Sequence, residues 1–94
     1  MGNRIKLQHP NSDKHMQSID KEKYNQIKDV ILSVIEKHEG ITFKELSKEV
    51  LTAVKDSFDG SPSWYCTAVK LDLEARGLIK RIDSKSPQRL KINR

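Results

Sequence analysis

Apolar residues recur at helical spacing in three stretches of this 94-residue chain. The first stretch follows Asp20, whose carboxylate can accept an amide hydrogen bond in the first turn of a helix, with Ser18 as the alternative cap. Gly40 is expected to end this helix, because glycine readily adopts the left-handed conformation found there. The core-facing stripe predicted by the spacing consists of Tyr24, Ile27, Ile31, Val34 and Ile35.

A capping box predicts the start of the second helix. Thr42 and Glu45 stand three positions apart, so each side chain can accept a hydrogen bond from the backbone amide of the other. Ile41, just before the box, is expected to form a brief strand. Apolar residues from 43 to 54 continue at helical spacing, and turn-forming residues from 56 to 60 should end the helix.

Ser61 and Pro62 predict the start of the third helix, as an N-cap followed by proline at the first helical position. The helix is expected to run to Arg76 and to end at Gly77. The linker before it is longer than the tight turn of the usual DNA-binding helix-turn-helix. That length is an argument against a standard recognition helix.

Two short apolar-basic runs follow, at residues 78–82 and 89–92, with six residues between them. They predict a β-hairpin, or wing. Because side chains alternate along a strand, one set should face the helices and the other water. The first set is expected to be Ile82, Leu90 and Ile92, and the second Arg81, Arg89 and Lys91.

Residues 1–18 are polar apart from a short alternation that contains Ile5 and Leu7. These few apolar residues cannot form a core of their own. We therefore expect a partly flexible arm that adds a strand or packs on a neighbour. Residues 19–94 are then the folded domain, of a size that buries one small core. The prediction is a mainly α domain with a small antiparallel β-hairpin, a three-helix core plus a C-terminal wing.

The net charge of +5 is unevenly distributed. Seven cations and one carboxylate, Asp83, lie between residues 76 and 94, so this segment carries +6 and the rest of the chain carries −1. A basic edge of this kind is expected where a polyanion binds. The alternative interpretation is that lysine and arginine protect exposed strand edges against aggregation.

Signals for membrane insertion, secretion and catalysis are missing from the sequence. Cys66 is the only cysteine, so an internal disulfide is excluded and a reducing compartment is favoured. His9, His15 and His38 do not show the short spacing that a zinc site requires. No serine or threonine is accompanied by an adjacent base. We therefore expect a cytoplasmic protein that is not an enzyme and needs no metal or cofactor.

The segment from residue 69 to residue 77 carries a resemblance to known proteins. It reads Val-Lys-Leu-Asp-Leu-Glu-Ala-Arg-Gly and is preceded by the aromatic pair Trp64 and Tyr65. In this signature the chain resembles a family of small, functionally uncharacterised bacterial winged-helix-like proteins. Over residues 20–93 it resembles a winged-helix domain. The wider resemblance, to bacterial winged-helix regulators, implies binding of double-stranded DNA in transcriptional regulation.

On this hypothesis, Ser63, Thr67 and Lys70 on the third helix approach the DNA groove. Asp72 and Glu74 depart from the regulator pattern, since DNA would repel them unless nearby cations pair with them. A pair between Lys70 and Glu74 is available at i, i+4 spacing. The wing residues expected to hold phosphates are Arg81, Lys85, Arg89 and Lys91.

The alternative hypothesis is a protein-interaction adaptor without DNA binding. Trp64 and Tyr65 point about 100° apart on a helix, so only one ring can face the core squarely. The other is then available to a partner chain or a second copy of this chain, because aromatic residues carry much of the energy at interfaces. Simple packing of both rings in the core, with one partly exposed, and stacking on a nucleic-acid base are further interpretations.

Overall fold

A computed structural model of the chain describes residues 3–9, 18–56, 58, 60–82 and 89–93. The helices are α1 (Lys21–Lys37), α2 (Phe43–Val54) and α3 (Pro62–Ala75). The strands are β1 (Arg4–Lys6), β2 (Ser18–Asp20), β3 (Ile41–Thr42), β4 (Ile79–Arg81) and β5 (Arg89–Ile92). The expected mainly helical chain is confirmed, and its strands form two small antiparallel sheets where the sequence predicted a hairpin and a brief strand.

Helix α1 begins and ends where its cap residues predict. The Asp20 carboxylate accepts a hydrogen bond from the Glu22 amide, at 3.1 Å. The last turn closes at His38, and Gly40 follows with a φ of 91°. Of the predicted stripe, Val34 is half-buried and the other members are buried: Tyr24, Ile27, Ile31 and Ile35.

The capping box of α2 is confirmed. The Glu45 amide donates to the Thr42 hydroxyl, and the Thr42 amide donates to the Glu45 carboxylate, each at 3.2 Å. Helix α3 begins as predicted, with the Ser61 hydroxyl accepting from the Trp64 amide. These local signals fix the helix starts independently of the core.

The end of α3 is a Schellman motif. Gly77 has a φ of 77°, its amide donates to Glu74, and the Leu78 amide donates to the Leu73 carbonyl. Asn93, at the far end of β5, holds the same turn. Its backbone amide donates to the Leu78 carbonyl and its side-chain amide to the Gly77 carbonyl, at 3.0 and 2.7 Å. The base of the wing is therefore bonded to the end of α3.

Strands β3, β5 and β4 form an antiparallel sheet in that order. Leu90 and Ile92 pack toward the helices as predicted, Leu90 fully buried. The same prediction for Ile82 is wrong, since its side chain is 49% exposed. Ile79 pairs with Ile92 and takes the buried position, so alternation places Ile82 on the opposite face.

The N-terminal segment contributes to the core. β1 and β2 pair antiparallel, with Ile5 opposite Ile19. Leu7 is only 2% exposed and packs in the same cluster as the helix residues. The described part of the expected arm, residues 3–9 and 18, is thus built into the fold, and its remainder lies outside the described residues. Among the described residues, no helix is long and apolar enough to cross a membrane.

Candidate functional site

The outward face of the three-stranded sheet collects cations from two strands. Lys80 of β4 lies directly opposite Lys91 of β5. Arg89 is two positions from Lys91 on the same strand and so shares its face. The Arg89 guanidinium donates to the Gly40 carbonyl at 2.9 Å, which fixes one end of this long side chain against the loop before β3. We call Lys80, Arg89 and Lys91 the cationic face.

Lys80 and Lys91 form a like-charged cross-strand pair. Directly opposed residues have Cβ atoms about 4.5–5.5 Å apart, and like charges at that spacing are destabilising. Within the described part of the chain, neither ammonium takes part in a hydrogen bond or an ion pair. A bound anion would relieve this repulsion, and each lysine supplies three donors for it. Lys85, the expected contact at the wing tip, lies outside the described residues.

Arg81 does not belong to the cationic face. Alternation places it on the side of Ile79, where two guanidinium nitrogens each lie 3.4 Å from a Glu74 carboxylate oxygen. The Glu74 side chain is almost fully buried. Arg81, expected to face water and hold phosphate, is partly exposed but has its charge opposed by an internal carboxylate.

Lys70 was expected on the outer face of α3, and that expectation is wrong. The residue is 4% exposed, because α3 buries this side beneath α2 and the sheet. Its ammonium lies 2.7 Å from a Glu74 carboxylate oxygen and 5.1 Å from the centre of the Phe43 ring. The i, i+4 pair anticipated from the sequence exists, but it stabilises the interior and is not available to a ligand.

Asp72 is a buried junction that the sequence did not identify. Its carboxylate accepts hydrogen bonds from the Tyr24 hydroxyl, from the Gln8 amide at 2.7 Å and from the Arg76 Nε at 2.8 Å. Arg76 also donates to the Lys6 carbonyl at 3.1 Å. The junction therefore ties α1 and the segment after β1 to α3. The only local signal for it was the i, i+4 spacing of Asp72 and Arg76.

The junction shifts the protonation equilibria of its members. Burial, followed by the hydrogen bond to Asp72, raises the pKa of the Tyr24 phenol. The hydrogen bond to Asp72 likewise raises the pKa of the Arg76 guanidinium. Both shifts favour the protonated donors that the buried carboxylate requires.

The exposed surface of α3 carries hydroxyl groups and an aromatic ring but no cation. Ser63 and Thr67 are exposed as expected, and the Thr67 hydroxyl donates to the Ser63 carbonyl at 3.2 Å. The charged residues of α3 itself are Lys70, Asp72 and Glu74, and each is held in an internal ion pair. This helix therefore offers a DNA base hydroxyl groups and the Trp64 indole N–H, but no cation.

The aromatic pair divides as the helix geometry predicts. Tyr65 is half-buried and packs edge-on against Phe58, with ring centres 4.9 Å apart. Trp64 is 40% exposed and meets Tyr65 at 84°. The Lys23 ammonium lies within 6 Å of the Tyr65 and Phe58 ring centres. Tyr65 is thus the structural ring, and Trp64 presents indole surface to solvent.

Other reactive groups are scattered or shielded. Burial raises the pKa of the Cys66 thiol to about 11, so the thiolate is scarce at neutral pH. Across the described ranges, no three histidine, cysteine, aspartate or glutamate residues are grouped as a metal site. The clearest candidate surfaces are therefore the cationic face and the exposed edge of the aromatic pair.

Comparison with known proteins gives a family. The profile of DUF6958, a family of unknown function, matches residues 4–90, and the chain belongs to that family. The match extends across β1, so it includes the N-terminal segment that the structure builds into the core. No curated protein matches the chain. No solved structure matches it either.

Proposed function

We propose that this protein is a non-enzymatic winged-helix module that binds double-stranded DNA through its cationic face. Three helices, a short strand before α2, and a β4–β5 wing directly after α3 support the winged-helix assignment. The sheet order β3-β5-β4 supports it further, because the wing strands join the strand between the first two helices. The lone Cys66 suits a reducing compartment, and we propose the cytoplasm.

The observation that carries the proposal is the opposed pair of Lys80 and Lys91 beside Arg89. Three cations share one face of the sheet, and a polyanion such as the DNA backbone can contact several of them at once. The pair is strained without an anion, so phosphate binding would remove an unfavourable interaction as well as add favourable ones.

The proposed binding mode is largely independent of base sequence. Ser63 and Thr67 can contact sugar and phosphate, but α3 presents neither arginine nor lysine to guanine and neither asparagine nor glutamine to adenine. Phosphate contacts therefore supply most of the affinity. A regulatory role would then depend on a partner that brings the protein to its target.

The test is fluorescence anisotropy of a labelled random 20-base-pair duplex with the wild type and the variant Lys80→Ala/Lys91→Ala. Three phosphate contacts predict that affinity falls roughly 40-fold between about 50 and 200 mM salt, whereas one contact predicts about 3.5-fold. The matched control is Lys21→Ala/Lys55→Ala, which removes the same charge from exposed positions elsewhere. Equal salt dependence for both double variants would exclude the cationic face as the DNA surface.

A second candidate function is protein binding through Trp64 and Tyr65, without DNA. Its specific support is the 40% exposure of Trp64, a residue type that dominates binding energy at protein interfaces. The partner can be another protein or a second copy of this chain. The two functions use opposite ends of α3, since Trp64 lies in its first turn and β4 follows its last.

A further inference from the structure

A cleft of about 390 Å³ lies between the β1–β2 sheet and the first turn of α3. The wall formed by the β1–β2 sheet has one charged, one hydroxyl and one apolar side chain. The wall formed by the start of α3 has one hydroxyl side chain and the aromatic pair. The lining residues are Arg4, Ser18, Ile19, Ser61, Trp64 and Tyr65. A cleft with an apolar surface and a few fixed polar groups is the usual form of a binding site.

Arg4 gives the cleft its charge. Among the described residues that line the cleft, it is the only charged one. Its Nε donates to the Ser18 hydroxyl at 3.2 Å and its Nη2 donates to the Ser18 carbonyl at 2.6 Å. These bonds orient the guanidinium and leave donors, including both on Nη1, for a further acceptor. The fixed donors fit a planar carboxylate.

The aromatic wall favours an aliphatic or aromatic side chain over a nucleic-acid base. Trp64 and Tyr65 meet at 84° with ring centres 5.0 Å apart, so they form a corner and not two parallel walls. Phe58 and Lys23 already occupy contacts around the Tyr65 ring. A base held between two rings needs them parallel. A corner beside the buried Ile19 instead accommodates an apolar side chain.

We propose that this cleft binds an acidic segment of a partner protein, with a carboxylate on Arg4 and a neighbouring apolar side chain against Trp64. The proposal rests on the protein-binding function given above and names the class of its partner. Charge complementarity selects the acidic residue, and the indole corner selects the apolar one. The cleft shares no residue with the cationic face, so the two surfaces are separable by substitution.

The protein contains its own probe, because Trp64 is the only tryptophan. Its emission is recorded while the full chain is titrated with a blocked peptide of sequence Asp-Glu-Leu-Phe-Glu-Asp. The matched peptide replaces every carboxylate by its amide, giving Asn-Gln-Leu-Phe-Gln-Asn. The acidic peptide is expected to change the emission in a saturable way, and the amide peptide to bind about fivefold more weakly.

Arg4→Gln should abolish that difference between the peptides. Lys6→Gln is the matched control, with the same charge removed from the same strand outside the cleft, and it should preserve the difference. Far-UV circular dichroism checks that both variants are folded. Both variants should bind the random duplex nearly as the wild type does, so a failure of DNA binding is recognised separately.

Each contrary result has its own meaning. Equal affinity for the two peptides would overturn the acidic partner while leaving an apolar protein contact in place. No emission change with either peptide would overturn the cleft as a protein-binding site. A ten-nucleotide deoxythymidine strand that binds more tightly than the acidic peptide would assign the cleft to single-stranded nucleic acid instead.

Discussion

The carboxylate of Asp72 and the phenol of Tyr24, 48 positions apart in sequence, meet in the buried junction between α1 and α3. The same carboxylate receives the Gln8 amide from the segment after β1. A single side chain thus joins three separate parts of the chain. Because this carboxylate is fully buried, a change in its charge weakens the hydrogen bonds from all of its donors.

Asp72→Asn should therefore destabilise the fold more than a substitution of its size suggests. The amide keeps the shape but replaces one acceptor oxygen by a donor, which then faces other donors. We expect a loss of about 2–3 kcal/mol in the free energy of unfolding, measured in urea at neutral pH. Asp29→Asn, at an exposed position of α1, is the control and should change it by less than about 0.5 kcal/mol.

The raised pKa of Tyr24 predicts a loss of stability at alkaline pH. In the unfolded chain the phenol ionises near its ordinary pKa of 10.0, whereas in the folded chain it stays protonated to higher pH. Its contribution is therefore complete below pH 10 and declines as the pH rises above that value. As the pH is raised from about 9 to 11.5, the urea concentration at the midpoint of unfolding should fall more steeply for the wild type than for Tyr24→Phe. A slope unchanged in Tyr24→Phe would contradict the assignment.

Lys70→Met should reduce stability without altering duplex binding by the folded protein. Removing the ammonium leaves the buried Glu74 with only the longer contact to Arg81, at an expected cost of about 2–3 kcal/mol. Adding Glu74→Leu removes the stranded carboxylate and should recover part of that loss. Chemical denaturation measures both effects, and anisotropy measures DNA affinity. A Lys70→Met protein with normal stability and weakened DNA binding would show instead that Lys70 contacts the DNA.

Leu7→Ala tests whether the N-terminal segment is part of the cooperative unit. Truncation of this buried side chain should cost about 2–3 kcal/mol, at the lower end for leucine because the segment is near a terminus. Leu78→Ala is the control, since Leu78 is 42% exposed, whereas Leu7 is 2% exposed. Equal unfolding midpoints for the two variants would show that the segment does not unfold with the helices.

The starts and ends of the helices can be predicted from the sequence because they depend on residues that are close together in the chain. Thr42 with Glu45, Ser61 with Pro62, and Gly77 mark helix ends through contacts within a few residues. The alternation of Leu90 and Ile92 is equally local. These features need no knowledge of the distant chain.

The missed features depend on distant partners. Ile82 was misplaced because apolar residues 78, 79 and 82 allow either strand face to be buried, and the pairing with β5 decides between them. Lys70 looked like a surface residue because an i, i+4 ion pair has the same sequence pattern in the core as on the surface. Asp72 was missed because its partner Gln8 lies 64 positions away.

The bonds from Asn93 to Gly77 and Leu78 have a mechanical consequence. A hairpin connected to a helix by a single flexible peptide could move relative to it. Here both strands of the hairpin are hydrogen-bonded at the C-terminal end of α3. We therefore expect little hinge motion at the base of the wing, so that Lys80 and Lys91 keep their orientation relative to Trp64. If both proposed surfaces bind their ligands, the two ligands would be held in a fixed orientation relative to each other.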